Sequence, residues 1–165
     1  MKRHHIISII SFFVLVFFDQ ITKYFAVLNL KDKESFIIIQ NVFEFHYLEN
    51  RGAAFGMLQN KQVFLLSLTA IFLLFMCYVF YKMPSEKKYI PLRVLGVMIL
   101  AGAIGNMIDR VRLQYVVDFL YFKLIDFPIF NVADCYVTVA AFSLFFLVLF
   151  YYKDEDFDFL KRKGK

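Results

Sequence analysis

Residues 62–81 read QVFLLSLTAIFLLFMCYVFY, twenty consecutive positions without a charge. At ~1.5 Å of rise per residue, a helix of that length crosses a hydrocarbon core ~30 Å thick. Three further windows flank it. Residues 135–152 hold eighteen uncharged positions between Asp134 and Lys153, and residues 94–108 hold fifteen between Arg93 and Asp109. Residues 6–18 hold thirteen, after which Asp19 and Lys23 interrupt a further apolar stretch. The pattern predicts an all-α membrane protein with four transmembrane helices, at about 6–25, 62–81, 93–109 and 134–152.

Composition agrees. The chain has 165 residues, 61% of them hydrophobic, 23 of them Phe, with a mean hydropathy of +0.62. That excludes disorder and an ordinary water-soluble globule. The 19 basic and 14 acidic residues must therefore be segregated from the apolar runs. Basic residues flanking membrane spans account for the +5 net charge, so no nucleic-acid partner is expected. Met1-Lys2-Arg3 before an apolar run also resembles a cleavable leader, but no small-x-small site follows and Asp19-Gln20-Ile21-Thr22-Lys23 is a poor cleavage region. A retained first span is expected.

Lys/Arg bias sets the orientation. With the N-terminus inside, the inner segments carry net +6 and the outer ones −1, so both termini are expected in the cytoplasm. The whole chain, 1–165, is read as one integral-membrane domain with outer loops at about 29–61 and 110–132. In the first outer loop, residues 35–48 are β-branched and aromatic and alternate from Val42 onward. They predict a small β-rich extracytoplasmic cradle on the membrane surface. Residues 115–121 form a similar strand-like piece in the second loop. Cys77 and Cys135 lie at different depths and should stay unpaired. The small residues Ala101, Gly102, Ala103 and Gly105 permit close helix packing, within or between chains.

The residual charges cluster at one level. Asp19 and Lys23 end the first span, Glu49 and Arg51 precede the second, Asp109 and Arg110 end the third, and Asp134 begins the fourth. Charges near hydrocarbon are costly and usually face the protein interior, so a common depth predicts one polar cavity. Each has a plain structural reading. Asp19 and Lys23 are four residues apart and can pair with each other. Asp109 and Arg110 can mark the water boundary. Asp134 can cap its helix, a role as plausible from sequence as catalysis. Lys123 and Asp126 read as ordinary loop charges. Asp118 is hardest to explain structurally, because it interrupts an apolar strand and would be desolvated there.

The chemistry narrows by elimination. With only His4, His5 and His46, and no Cys/His ligand spacing, no metal site is expected and no cofactor is called for. No serine has a nucleophile-elbow context, and no phosphate-cradling Gly loop occurs. Two neighbouring carboxylates can share one proton, the ionised one taking a proton from water while the neutral one polarises a carbonyl. Asp118 and Asp134 could meet if the loop between them doubles back at Pro128.

Five motifs then carry a resemblance: Asp19-Gln20-Ile21-Thr22-Lys23; Glu49-Asn50-Arg51-Gly52-Ala53-Ala54-Phe55-Gly56; Gly105-Asn106-Met107-Ile108-Asp109-Arg110; Val116-Val117-Asp118-Phe119; and Phe130-Asn131-Val132-Ala133-Asp134. In this order and spacing the chain resembles the bacterial lipoprotein signal peptidases, or signal peptidase II. The acidic tail from Asp154 to Asp158 is outside the pattern. The resemblance implies a multi-pass aspartic endopeptidase of the bacterial cytoplasmic membrane, with its active site facing the outer side. It implies cleavage of diacylglyceryl-modified prolipoproteins on the amino side of the lipidated Cys, with membrane lipids as the other partners and function as a monomer. It places the catalytic pair on Asp118 and Asp134. The site-lining residues fall on Asp19, Lys23, Asn50, Gly52, Asn106, Asp109, Arg110 and Asn131. Of these, Asn50, Asn106 and Arg110 are expected to hold substrate carbonyls, with Gly52-Ala53-Ala54 giving close backbone approach. Two other classes are a small ion- or proton-coupled transporter, which expects midplane charges and broken helices, and a non-catalytic assembly factor in which Asp109 and Arg110 merely pair.

Overall fold

A computed structural model describes residues 3–53 and 57–161 of the chain. Four long helices carry the architecture: α1 (Arg3–Leu30), α2 (Gln62–Lys82), α3 (Ile90–Leu113) and α4 (Val132–Phe150). All four are long and apolar enough to cross a membrane. Three strands complete the fold: β1 (Phe36–Ile39) and β2 (Phe43–Asn50) between α1 and α2, and β3 (Val116–Tyr121) between α3 and α4. Ala54, Phe55 and Gly56 of the second motif, and the basic residues Lys2, Arg162, Lys163 and Lys165, lie outside the described residues.

α3 is the central helix and packs against α1, α2 and α4. Its small residues allow this. A Cβ on Gly102 would fall 2.6 Å from the Ala133 carbonyl oxygen and 2.7 Å from a Val137 methyl, so α4 lies directly on the α3 backbone there. The close packing foreseen for this stretch is thus between helices of one chain. α1, α2 and α4 instead point large apolar side chains outward, among them Phe17, Leu74 and Phe150. Such faces need an apolar solvent, and backbone polarity is already satisfied inside each helix.

α3 extends beyond the expected 93–109 at both ends. Pro91 sits in its first turn, where a missing N–H is harmless, and Gln114 closes it in a left-handed conformation (φ 65°), its N–H donating to the Arg110 carbonyl at 3.2 Å. Asp109 and Arg110 therefore remain inside the helix, where sequence reading had ended the span.

The sheet draws on both connecting segments and is not confined to the first, as the sequence reading had it. Its order is β1-β2-β3, antiparallel throughout, with Leu48 opposite Asp118 and Asn50 opposite Val116. β3 is buried on both faces. Val117 and Phe119 pack on Ala26 and Leu30 of α1, which turns the intervening Asp118 the other way, toward α4. The segment after β3 doubles back: Phe130 exchanges hydrogen bonds with Leu120 at 2.8 and 3.0 Å, so Asn131 returns beside β3. The alternation expected in β2 has an exception, since Glu44 is buried and held by Lys123 at 3.0 Å. Lys123 is therefore tied to the sheet, and Asp126 accepts from the Tyr121 hydroxyl at 2.6 Å; neither is a free loop charge.

Candidate active site

Four of the buried polar residues, Asp19, Lys23, Asp109 and Asn131, surround the point where α1, α3, β3 and α4 meet. Lys23 lies 3.0 Å from Asp19 and 3.0 Å from Asp109, and donates to Asn106 Oδ1 at 2.8 Å. The expected Asp19–Lys23 pair is present, but Lys23 also joins α1 to α3. Asp109 pairs with Lys23 and not with Arg110. Each carboxylate then reaches an element that carries one of the two candidate catalytic acids. Asp19 Oδ1 accepts the Ala133 N–H of α4 at 2.9 Å, and Asp109 Oδ2 accepts the Val117 N–H of β3 at 3.1 Å. A buried ion cluster thus fixes the strand bearing Asp118 and the helix bearing Asp134 relative to one another.

Asn131 stands between the two acids. Its Nδ2 donates to Asp118 Oδ1 at 2.6 Å, and its Oδ1 accepts the Asp134 N–H at 3.0 Å. Asp134 Oδ2 accepts the Asn131 N–H in return at 3.1 Å, a reciprocal capping box. The α4 cap is therefore Asn131, with Asp134 three residues in. That corrects the capping role considered for Asp134 and leaves its Oδ1 toward the cavity, where Asn106 Nδ2 donates at 2.8 Å. Asp118 Oδ2 accepts from Asn50 Nδ2 at 2.9 Å.

The two amides are oriented by what holds their other ends. Asn106 Oδ1 accepts from Lys23 and, at 3.1 Å, from Asn131, so its NH2 must face Asp134. Asn50 Oδ1 accepts the Gly52 N–H at 2.9 Å, so its NH2 must face Asp118. Arg110 donates to the Gly52 carbonyl at 2.9 Å, while its buried Nε has no partner among the described residues. Asn50 and Asn106 thus hold the two carboxylates through their NH2 groups. All eight supporting residues named from sequence are gathered within this network. Gln20, beside Asp19 in the first motif, joins the same network without any signal in the sequence that sets it apart. Its Nε2 lies 3.0 Å from Asp109 Oδ1 and 3.2 Å from both Asp19 Oδ2 and the Gly105 carbonyl. Gly105 itself has no room for a side chain, because a Cβ would collide with the Asp19 carboxylate.

Asp118 is 1% exposed. Burial, followed by the charge of Asp134, pushes its pKa up to about 7, against the pull of the Asn50 and Asn131 donors. The arrangement can therefore keep one carboxyl neutral near neutral pH beside a second that accepts donors. Asp118 and Asp134 both line a groove of about 1380 Å³, which continues along Leu68 and Phe72 of α2 and Val139 of α4. Both acids meet an apolar channel open between helices.

The family model for signal peptidase (SPase) II matches residues 11–150. The chain belongs to that family. It is 47% identical over 145 residues to a lipoprotein signal peptidase of Caldanaerobacter subterraneus subsp. tengcongensis, covering 87% of this chain and 95% of the relative. It is 38% identical to that of Clostridium tetani, covering 87% and 90%. A solved bacterial membrane enzyme matches with a TM-score of 0.75 and 31% identity, over 96% of this chain and 93% of the other. A second matches with 0.75 and 34%, over 88% and 94%. This signal peptidase II family chain is thus a helical multi-pass membrane protein with a small sheet, and the transporter reading has no support among its relatives.

Proposed function

We propose that the chain is an intramembrane aspartic endopeptidase that removes the signal peptide from diacylglyceryl-modified prolipoproteins, cutting on the amino side of the lipidated Cys. One observation carries this: in a member of the signal peptidase II family, Asp118 and Asp134 converge on a shared Asn131 at the head of an apolar groove. Asp134 acts as the base and the buried, neutral Asp118 as the acid. Asp134 takes a proton from water as its oxygen adds to the scissile carbonyl carbon, and Asp118 gives its proton to the carbonyl oxygen. On collapse the C–N bond breaks. Asp134 then passes its proton to the leaving amine, and Asp118 recovers its own from the reforming carboxyl. Arg110 Nε, the unsatisfied donor at the site, suits a substrate carbonyl.

The chain works as one domain, residues 1–165, and as a monomer without metal, cofactor or nucleic acid. It sits in the bacterial cytoplasmic membrane with both termini inside and the sheet outside, in keeping with the Lys/Arg bias. The substrate helix enters sideways between α2 and α4, and its acyl chains stay in lipid. The test is purified protein in lipid with lipidated and unlipidated forms of one precursor, the products read by mass spectrometry. The expected product begins with the diacylglyceryl Cys and arises from the lipidated form alone. Cutting elsewhere, or of both forms equally, would overturn the reading.

A further inference from the structure

Asn50 presents its NH2 to Asp118 because the Gly52 N–H holds its Oδ1 at 2.9 Å. That N–H and the Arg51 carbonyl belong to one planar peptide unit and point in opposite directions. Whatever grips the carbonyl therefore aims the N–H. Gln62, the first residue of α2, supplies the shorter of two grips. Its Nε2 donates to the Arg51 carbonyl at 2.7 Å, and the Asn60 N–H adds a second bond at 3.0 Å. The amide fits only this way round, since an oxygen could not face that carbonyl. Gln62 is buried, and its Oε1 has no partner among the described residues. An apolar side chain of similar shape would avoid that unmet acceptor, so what the glutamine adds here is its donor. Glycine offers little resistance to a flip of the peptide unit before it, which makes the grip matter. Gln62 itself does not line the groove, whereas Leu65, one helical turn on, does.

We infer, on the reading of Asp118 and Asp134 as the catalytic pair, that Gln62 is a positioning residue: from the start of α2 it fixes the Arg51–Gly52 peptide unit, which turns the Asn50 NH2 onto Asp118. Gln62 touches neither carboxylate and acts through Asn50. It ties the helix that walls the groove to the strand end that steadies the acid. The Asn50 donor favours the ionised form of Asp118, so loosening it lets Asp118 hold its proton to a higher pH.

Gln62→Met keeps the shape and drops the donor. The full chain in lipid vesicles gives two readouts: the alkaline limb of cleavage of a lipidated precursor, and the infrared carboxyl band of Asp118, assigned by its loss in Asp118→Asn. Both midpoints should move up by about 0.5–1 pH unit, a fraction of what one hydrogen bond to a charged group is worth, with the melting temperature nearly unchanged. In an Asn50→Ala background, which already lacks the donor, Gln62→Met should move neither midpoint further. No shift in Gln62→Met, or an equal shift in both backgrounds, would overturn the positioning role. A lower melting temperature with unmoved midpoints would overturn it too. The infrared titration needs no turnover, so a shifted band in a chain that does not cleave would support the positioning role while overturning the peptidase reading.

Discussion

Asn131→Asp is the most informative single change at the site. The native side chain donates to Asp118 at 2.6 Å and, through its oxygen, caps α4 on the Asp134 N–H at 3.0 Å. An aspartate keeps the capping oxygen, so the cap contribution of about 1 kcal/mol is retained. It removes the donor and sets a third carboxylate against Asp118. Two unit charges ~4 Å apart at an effective dielectric near 20 repel by about 4 kcal/mol. At about 1.4 kcal/mol per pH unit this caps the effect near 3 units, and relaxation reduces it, so the dyad should hold its proton to a pH about 1–3 units higher. The assay is the pH profile of cleavage of a lipidated precursor by gel shift, beside thermal unfolding in the same detergent. The alkaline limb should move up and the maximal rate should drop at least tenfold, with the fold retained. Asn131→Ala, by contrast, loses the cap as well and should unfold more easily by about 2–4 kcal/mol. An unchanged pH profile in Asn131→Asp would refute the claim that Asn131 bridges the dyad.

Three more outcomes follow from the same network. In the native protein, Asp118 is neutral below about 7 and can donate, so cleavage should fall as pH rises through that value. The stability drawn from the neutral carboxyl, complete below its ordinary 3.8, should be lost over the same rise. Lys23→Met leaves Asp19 and Asp109 buried without their cation and should cost about 3–5 kcal/mol of stability, read by thermal unfolding. Gly105→Ala drives a methyl into the Asp19 carboxylate and should lower both melting temperature and cleavage, whereas Ala103→Ser, on the groove wall, should leave the melting temperature nearly unchanged.

The helices were legible because hydropathy over a span is a sum that no single residue can hide. Their ends were not. α3 runs on past Asp109 because Lys23, 86 positions earlier in the chain, neutralises it, and a partner that distant leaves no local trace. The strand character of residues 115–121 was visible, yet its pairing with β2 depends on α1 presenting Ala26 and Leu30 to Val117 and Phe119. Asp118 stood out as an acid in an apolar strand, and burial is what raises its pKa. Asn131 and Asp134 were both named, but which of them caps α4 turns on backbone geometry, with Asn131 extended (φ −131°, ψ −177°) and Asp134 already inside the helix. Gln20 was missed because one amide next to an acid looks ordinary until Gly105 and Asp109 are brought to it.

The central claim is that Asp118 and Asp134 act as one proton-sharing unit. It is tested most directly by Asp118→Asn and Asp134→Asn separately, each given the lipidated precursor under single-turnover conditions, with substrate binding measured alongside. Each change should abolish cleavage while the protein still inserts and still binds the precursor. The double variant should be no worse than either single one. Near-normal cleavage by either single variant would contradict the account.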